Sequence, residues 1–80
     1  MNEYIDPTFF KNQLAIEIYQ IFIKMEISQD VFAKKLGIRQ PKISRIFNGH
    51  LKEFSLETLI QYLHILGRYV EIKIINYMDT

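Results

Sequence analysis

Apolar residues recur at steps of three and four along the first third of the chain, at Phe10, Leu14, Ile18, Ile21, Phe22 and Met25. This spacing gathers them on one face of a helix, predicted from about residue 9 to 25. Pro7 lies just ahead, where a proline costs little because the first N–H groups of a helix have no partner within it. Ile16, Tyr19 and Ile23 widen the apolar face, so contact on more than one side is expected. A second helix is predicted over 29–36. Ser28 can cap it, and Val31, Phe32, Ala33 and Leu36 supply its apolar face. Gly37 can close it in the left-handed conformation. Pro41 marks a third start, because its ring drives Gln40 out of the α region. Ile43, Ile46 and Phe47 form an inward stripe, and Asn48-Gly49 ends the helix with turn chemistry. The fourth helix follows Ser55, with Glu57 placed favourably for the helix dipole. Leu56, Leu59, Ile60, Leu63 and Leu66 are its stripe, and Gly67 stops it.

The period then changes. Val70, Ile72 and Ile74 alternate with polar neighbours, which predicts a strand over about 68–77. A lone strand leaves backbone groups unpaired. The only other candidate strand is the short Glu3-Tyr4-Ile5. Tyr69, Val70, Ile72 and Ile74 are therefore expected to meet another polypeptide. The first choice is the same segment of a second subunit, antiparallel across a two-fold axis. The second is the sheet edge of a protein partner.

Size and composition narrow the class. Eighty residues, 49% of them hydrophobic, make one globular domain, taken as 1–80. A core this small often needs a disulfide, a metal or a partner. There is no cysteine, and His50 and His64 have no ligand neighbours at metal-site spacing. Oligomerisation is left as the support, and a homodimer is expected. No cofactor and no metal are expected. No apolar run reaches the roughly 18 residues that span a bilayer. The acidic start, Met1 to Asp6, lacks the basic opening of a signal peptide. These features predict a cytoplasmic protein without a membrane partner. There is no cysteine nucleophile, no Gly-x-Ser-x-Gly elbow and no phosphate-cradling glycine loop, which argues against an enzyme.

Charge adds a direction. The net charge is +1, but it averages two unlike regions. Between Val31 and Lys52 lie Lys34, Lys35, Arg39, Lys42, Arg45 and Lys52, with no Asp or Glu among them. The remainder holds four basic residues and all nine acidic ones. A cationic window in an otherwise acidic chain suggests a polyanion footprint, although a solvated basic surface reads the same way taken alone.

Spacing within that window decides between the two. Counting from Gln29, a small residue follows at Ala33, glycine at Gly37 and a β-branched residue at Ile43. A helix-turn-helix needs these types there: a small residue where the helices cross closely, a glycine for the sharp turn, and a branched residue to fill the angle. The predicted motif spans about 28–49.

The stretch from Ser28-Gln29 through Ala33, Leu36-Gly37-Ile38 and Gln40-Pro41-Lys42-Ile43-Ser44-Arg45-Ile46 to Asn48-Gly49 resembles the Cro/C1 (XRE-type) helix-turn-helix family. Leu14-Ala15 and Ile18 before it, Phe54 to Leu59 after it, and Leu66 to Ile72 at the end extend the likeness. The whole resembles small antitoxins of the HigA type. That likeness implies a mainly α fold: a four- or five-helix lambda-repressor-like domain with a C-terminal β-strand pairing between subunits. It also implies double-stranded DNA as a partner, as a pseudo-palindromic operator, and a RelE/HigB-like ribonuclease toxin as a possible second one.

The third helix, taken as 40–48, is expected to enter the major groove. Gln40 can pair bidentately with adenine, and Lys42 or Arg45 can reach guanine O6 and N7. Gln29, at the start of the second helix, can hold a phosphate. By resemblance, Gln29, Gln40, Lys42 and Arg45 fall on DNA-contact positions, with Arg39, Ser44 and Asn48 beside them. Pro41 replaces a frequent polar reader. Lys34, Lys35 and Lys52 are candidate phosphate contacts. The expected function is a sequence-specific transcriptional regulator, a repressor or antitoxin acting on its own operon. The alternatives are a toxin-neutralising interaction module with little DNA binding and a free-standing phage-type repressor.

Overall fold

The computed structural model describes residues 7–76. The described residues form four helices: α1 (Pro7–Met25), α2 (Gln29–Leu36), α3 (Gln40–Phe47) and α4 (Leu56–Ile65). The candidate strand Glu3-Tyr4-Ile5 lies outside the described residues. α1 begins two residues earlier than the apolar period suggests, because Pro7 lies inside its first turn, where no N–H is missed.

The chain ends its helices by one device used three times. At the end of α2 Gly37 adopts φ 73°. Its N–H donates to the Lys34 carbonyl at 3.1 Å, and Ile38 N–H donates to Ala33 at 3.0 Å. This closure satisfies carbonyls that the helix end would otherwise orphan, and it requires a left-handed residue, which favours glycine. The same pair of bonds recurs after α3, from Gly49 to Ile46 and His50 to Arg45, and after α4, from Gly67 to His64 and Arg68 to Leu63. All three glycines of the chain serve this purpose. At the starts, Ser28 Oγ accepts from Val31 N–H at 3.2 Å and Ser55 Oγ from Thr58 N–H at 3.1 Å.

α1 packs chiefly on α4, and α2 on α3, with α1 and α3 also in contact. The buried core draws on every helix: Ala15, Ile18 and Ile21 from α1, Phe32, Ala33 and Leu36 from α2, Ile43 and Ile46 from α3, and Leu59, Tyr62 and Leu63 from α4. Leu51 and Phe54, from the loop between α3 and α4, are buried with them. Neither was marked by helical periodicity, because each stands in a non-helical turn. An aromatic cluster forms beside this core. Phe22 lies 5.1 Å from Phe32 and 4.9 Å from Phe47, ring centroid to centroid, and Tyr19 meets Phe47 edge-on at 5.1 Å. No helix among the described residues is long and apolar enough to cross a membrane.

The structure corrects one expectation in part. No strand is formed among the described residues, and the chain from Arg68 to residue 76 carries no regular secondary structure. A strand is defined by its ladder, and among the described residues no second segment lies alongside to supply one. Val70 folds back against the core, whereas Tyr69, Ile72, Ile74 and Ile75 are exposed, Ile74 almost fully at 96%. Ile16 and Ile23 on α1 are likewise about half exposed rather than covered on a second side.

Two outcomes test this packing. Ile43, wholly buried where α2 meets α3, should cost about 2–5 kcal/mol when replaced by alanine, measured by urea unfolding followed by circular dichroism. Tyr62 titrates above its usual 10.0, through burial first and the neighbouring Glu53 carboxylate second. The folded state therefore keeps a phenol proton that the unfolded chain releases. Stability from this group is complete below pH 10 and falls as pH rises above it, so Tyr62→Phe should flatten the alkaline arm of a stability–pH curve.

Candidate nucleic-acid interface

α3 is an eight-residue helix with its proline in the first turn. Ile43 and Ile46 face inward and are buried, with Phe47 half-buried beside them. At 100° per residue, the arc opposite that stripe carries Pro41, Ser44, Arg45 and the adjoining Asn48, with Gln40 and Lys42 at its margins. The inward stripe thus dictates which side chains meet solvent. No polar or charged side chain among the described residues is buried, so all six cations of the basic window lie at the surface.

Several of these side chains are already held. Gln40 Nε2 donates to Gln29 Oε1 at 2.6 Å, joining the first residue of α3 to the first of α2. The bond leaves Gln40 its Oε1 and a second N–H, the donor–acceptor pair that an adenine edge requires. It leaves the Gln29 amide N–H groups for a phosphate. Arg45 Nε donates to Glu53 Oε2 at 2.6 Å. Lys42 Nζ lies 5.9 Å above the ring of Phe54. Asn48 Nδ2 donates to the Ser44 carbonyl at 2.9 Å and approaches Ser44 Oγ at 3.4 Å, so both residues are engaged in closing α3.

The cations sort into two groups. Arg39, Lys42 and Arg45 line one shallow cleft together with Gly37, Ile38 and Pro41. Arg45 also borders a second cleft, with His50, Lys52 and Glu53. Lys34 and Lys35 lie apart, exposed on the last turn of α2. Lys34 pairs with Asp30 at 3.7 Å. Both partners are well exposed, so the pair is weak and easily exchanged for a phosphate. Tyr69, Val70 and Ile72 lie away from this face, on the segment after α4 that neighbours the α1 and α4 residues Leu14 and Ile60, and Ile74 follows them almost fully exposed.

Glu53 was missed from the sequence. It is the first acid after the basic window, and that position was the available signal. Its contact with a residue eight places earlier depends on the turn at 51–54, where Phe54 N–H donates to the Leu51 carbonyl at 3.0 Å.

The comparisons agree with this geometry. A family model described as a helix-turn-helix domain matches residues 5–75. A solved structure named "Putative XRE Family Transcriptional Regulator" superposes with a TM-score of 0.82 and is 36% identical, covering 88% of this chain and 79% of that one. Among curated protein sequences none matches. The chain belongs to the helix-turn-helix family, in its XRE type. Fold and family are those of a DNA-binding transcription regulator and not of an enzyme.

Proposed function

We propose that this chain is a sequence-specific DNA-binding regulator that places α3 in the major groove. The observation that carries the reading is the outward arc of α3, where Gln40, Lys42 and Arg45 stand on a helix-turn-helix within a window free of acids. In this reading Gln40 and Arg45 read base edges, with Lys42, Ser44, Arg39 and Asn48 around them. Gln29, Lys34, Lys35 and Lys52 hold phosphates, which position the domain without specifying sequence.

The acting form is a homodimer. Its support is the run of exposed apolar residues Tyr69, Ile72, Ile74 and Ile75, on a segment of alternating pattern with no ladder among the described residues. Antiparallel pairing of 68–77 with its copy would cover them and supply the missing backbone bonds. Two recognition helices would then meet a pseudo-palindromic operator with half-sites about 34 Å apart. The protein is a cytoplasmic single domain that represses its own operon as an antitoxin, and the sheet edge of a RelE/HigB-like toxin is the alternative partner for the same apolar segment. This last step rests on the likeness to small antitoxins.

The direct test is fluorescence anisotropy on duplex DNA from upstream of the chain's own reading frame and on a shuffled duplex, each at two salt concentrations. Tighter binding to the native duplex, weakening steeply with salt, supports the reading. Equal weak binding to both would overturn it. Arg45→Ala should cost about 1–3 kcal/mol at one operator position if its guanidinium reads guanine. A uniform loss across sequences would make Arg45 a phosphate contact instead. Ile72→Lys or Ile74→Lys should shift the protein toward monomer in analytical ultracentrifugation at micromolar concentration. A variant that stayed fully dimeric would remove the strand-pairing interface.

A further inference from the structure

Glu53 is an acid placed against the side chain best suited to touch DNA. Its position is built into the fold rather than left to a mobile loop. Leu51 and Phe54, on either side of Lys52-Glu53, are buried at 3% and 2% exposure. The bond from Phe54 N–H to the Leu51 carbonyl closes the turn between these two anchors. Lys11 Nζ, from α1, reaches the same carbonyl at 3.5 Å. Lys52 and Glu53 are thus the outward-facing middle of a pinned turn. From there Glu53 Oε2 accepts from Arg45 Nε at 2.6 Å.

As a source of stability this pair is minor, because the side chains are 44% and 42% exposed. Its geometry has another consequence. The recorded bond occupies Nε, on the flank of the guanidinium, and leaves the two terminal Nη groups available. Those two groups form the end-on fork that matches guanine O6 and N7. A carboxylate at Nε also repels phosphate, which disfavours the alternative use of Arg45 as a clamp on the backbone. An arginine held at one flank has fewer rotamers to lose when it docks, and the entropy cost of ordering it falls.

We infer that Glu53 is a specificity-determining positioning residue, which orients Arg45 end-on toward a guanine in each half-site and discourages its use on phosphate. The inference rests on the DNA-binding reading above.

The test starts by selecting duplexes from a randomised pool with the unaltered protein. Binding to the selected duplex, to its single-base variants and to a shuffled duplex is then measured for Glu53→Ala, Glu53→Gln, Arg45→Ala and the Arg45→Ala/Glu53→Ala double variant. Thermal melting confirms that each is folded. Glu53→Ala should bind the selected duplex about fivefold or more weakly and lose its preference for guanine at one position per half-site. Its binding to the shuffled duplex should stay equal or tighten, since a negative charge has left the interface. Glu53→Gln keeps an oxygen that accepts from Nε, so it should retain the guanine preference. The double variant should be no worse than Arg45→Ala, because Glu53 acts through Arg45. A Glu53→Ala protein with unchanged base preference would overturn the inference while leaving the DNA-binding reading intact. So would one that binds all duplexes more tightly, since that would make Glu53 a mask. If the unaltered protein selects no sequence, the DNA-binding reading fails and the inference fails with it.

Discussion

The angle between α2 and α3 is the constraint on which the rest of the structure depends. It is set by the left-handed turn at Gly37 and by the wholly buried Ile43, packed into one core with Ala33 and Leu36. A larger side chain at Ala33 would push the crossing helices apart, and a shorter one at Ile43 would leave a void between them. The turn bonds at Gly37 and Ile38 fix where the chain leaves α2. With both in place, α3 has one orientation on the body of the protein, and its outward arc follows. α1 and α4 serve as the platform for this pair and contribute Ile18, Ile21 and Leu59 to the same buried core.

The outward arc is polar, yet its side chains are not free. Gln40 is tied to Gln29, Arg45 to Glu53, and Lys42 stands over Phe54. Each tie links the recognition helix to another part of the fold: the start of α2, or the loop before α4. The Arg45–Glu53 pair is exposed and contributes little to stability, while the Gln40–Gln29 bond is part-buried. They restrict long side chains in the free protein, so that in the proposed reading less order remains to be imposed by DNA. A surface with low stabilising value can still determine specificity, because specificity depends on where the donors point.

A second surface has the opposite character. Tyr69, Ile72, Ile74 and Ile75 expose apolar area without offering polar chemistry. Grouped in one segment, such residues mark an interaction site more readily than scattered ones do. In the proposed reading the two surfaces divide the work of the domain: the α3 arc for a polyanion and the segment after α4 for protein.

Much of this was legible in the sequence. Steps of three and four marked the first and fourth helices, Ser28 and Pro41 the starts of the second and third, and the three glycines marked where α2, α3 and α4 end, because a left-handed closure leaves few other choices. Gln29, Ala33, Gly37 and Ile43 gave the motif by spacing, and the acid-free run gave the sign of the partner's charge. These features are local, so a linear reading can reach them. The burial of Leu51 and Phe54 was decided only by tertiary structure, as were the bond from Gln40 to Gln29 and the approach of Glu53 to Arg45. Each depends on how a non-helical turn folds back on a distant helix, and no period in the chain records that. The segment from Arg68 onward shows the same limit from the other side: its alternation is written in the sequence, but a ladder requires a second strand, and none lies beside it among the described residues.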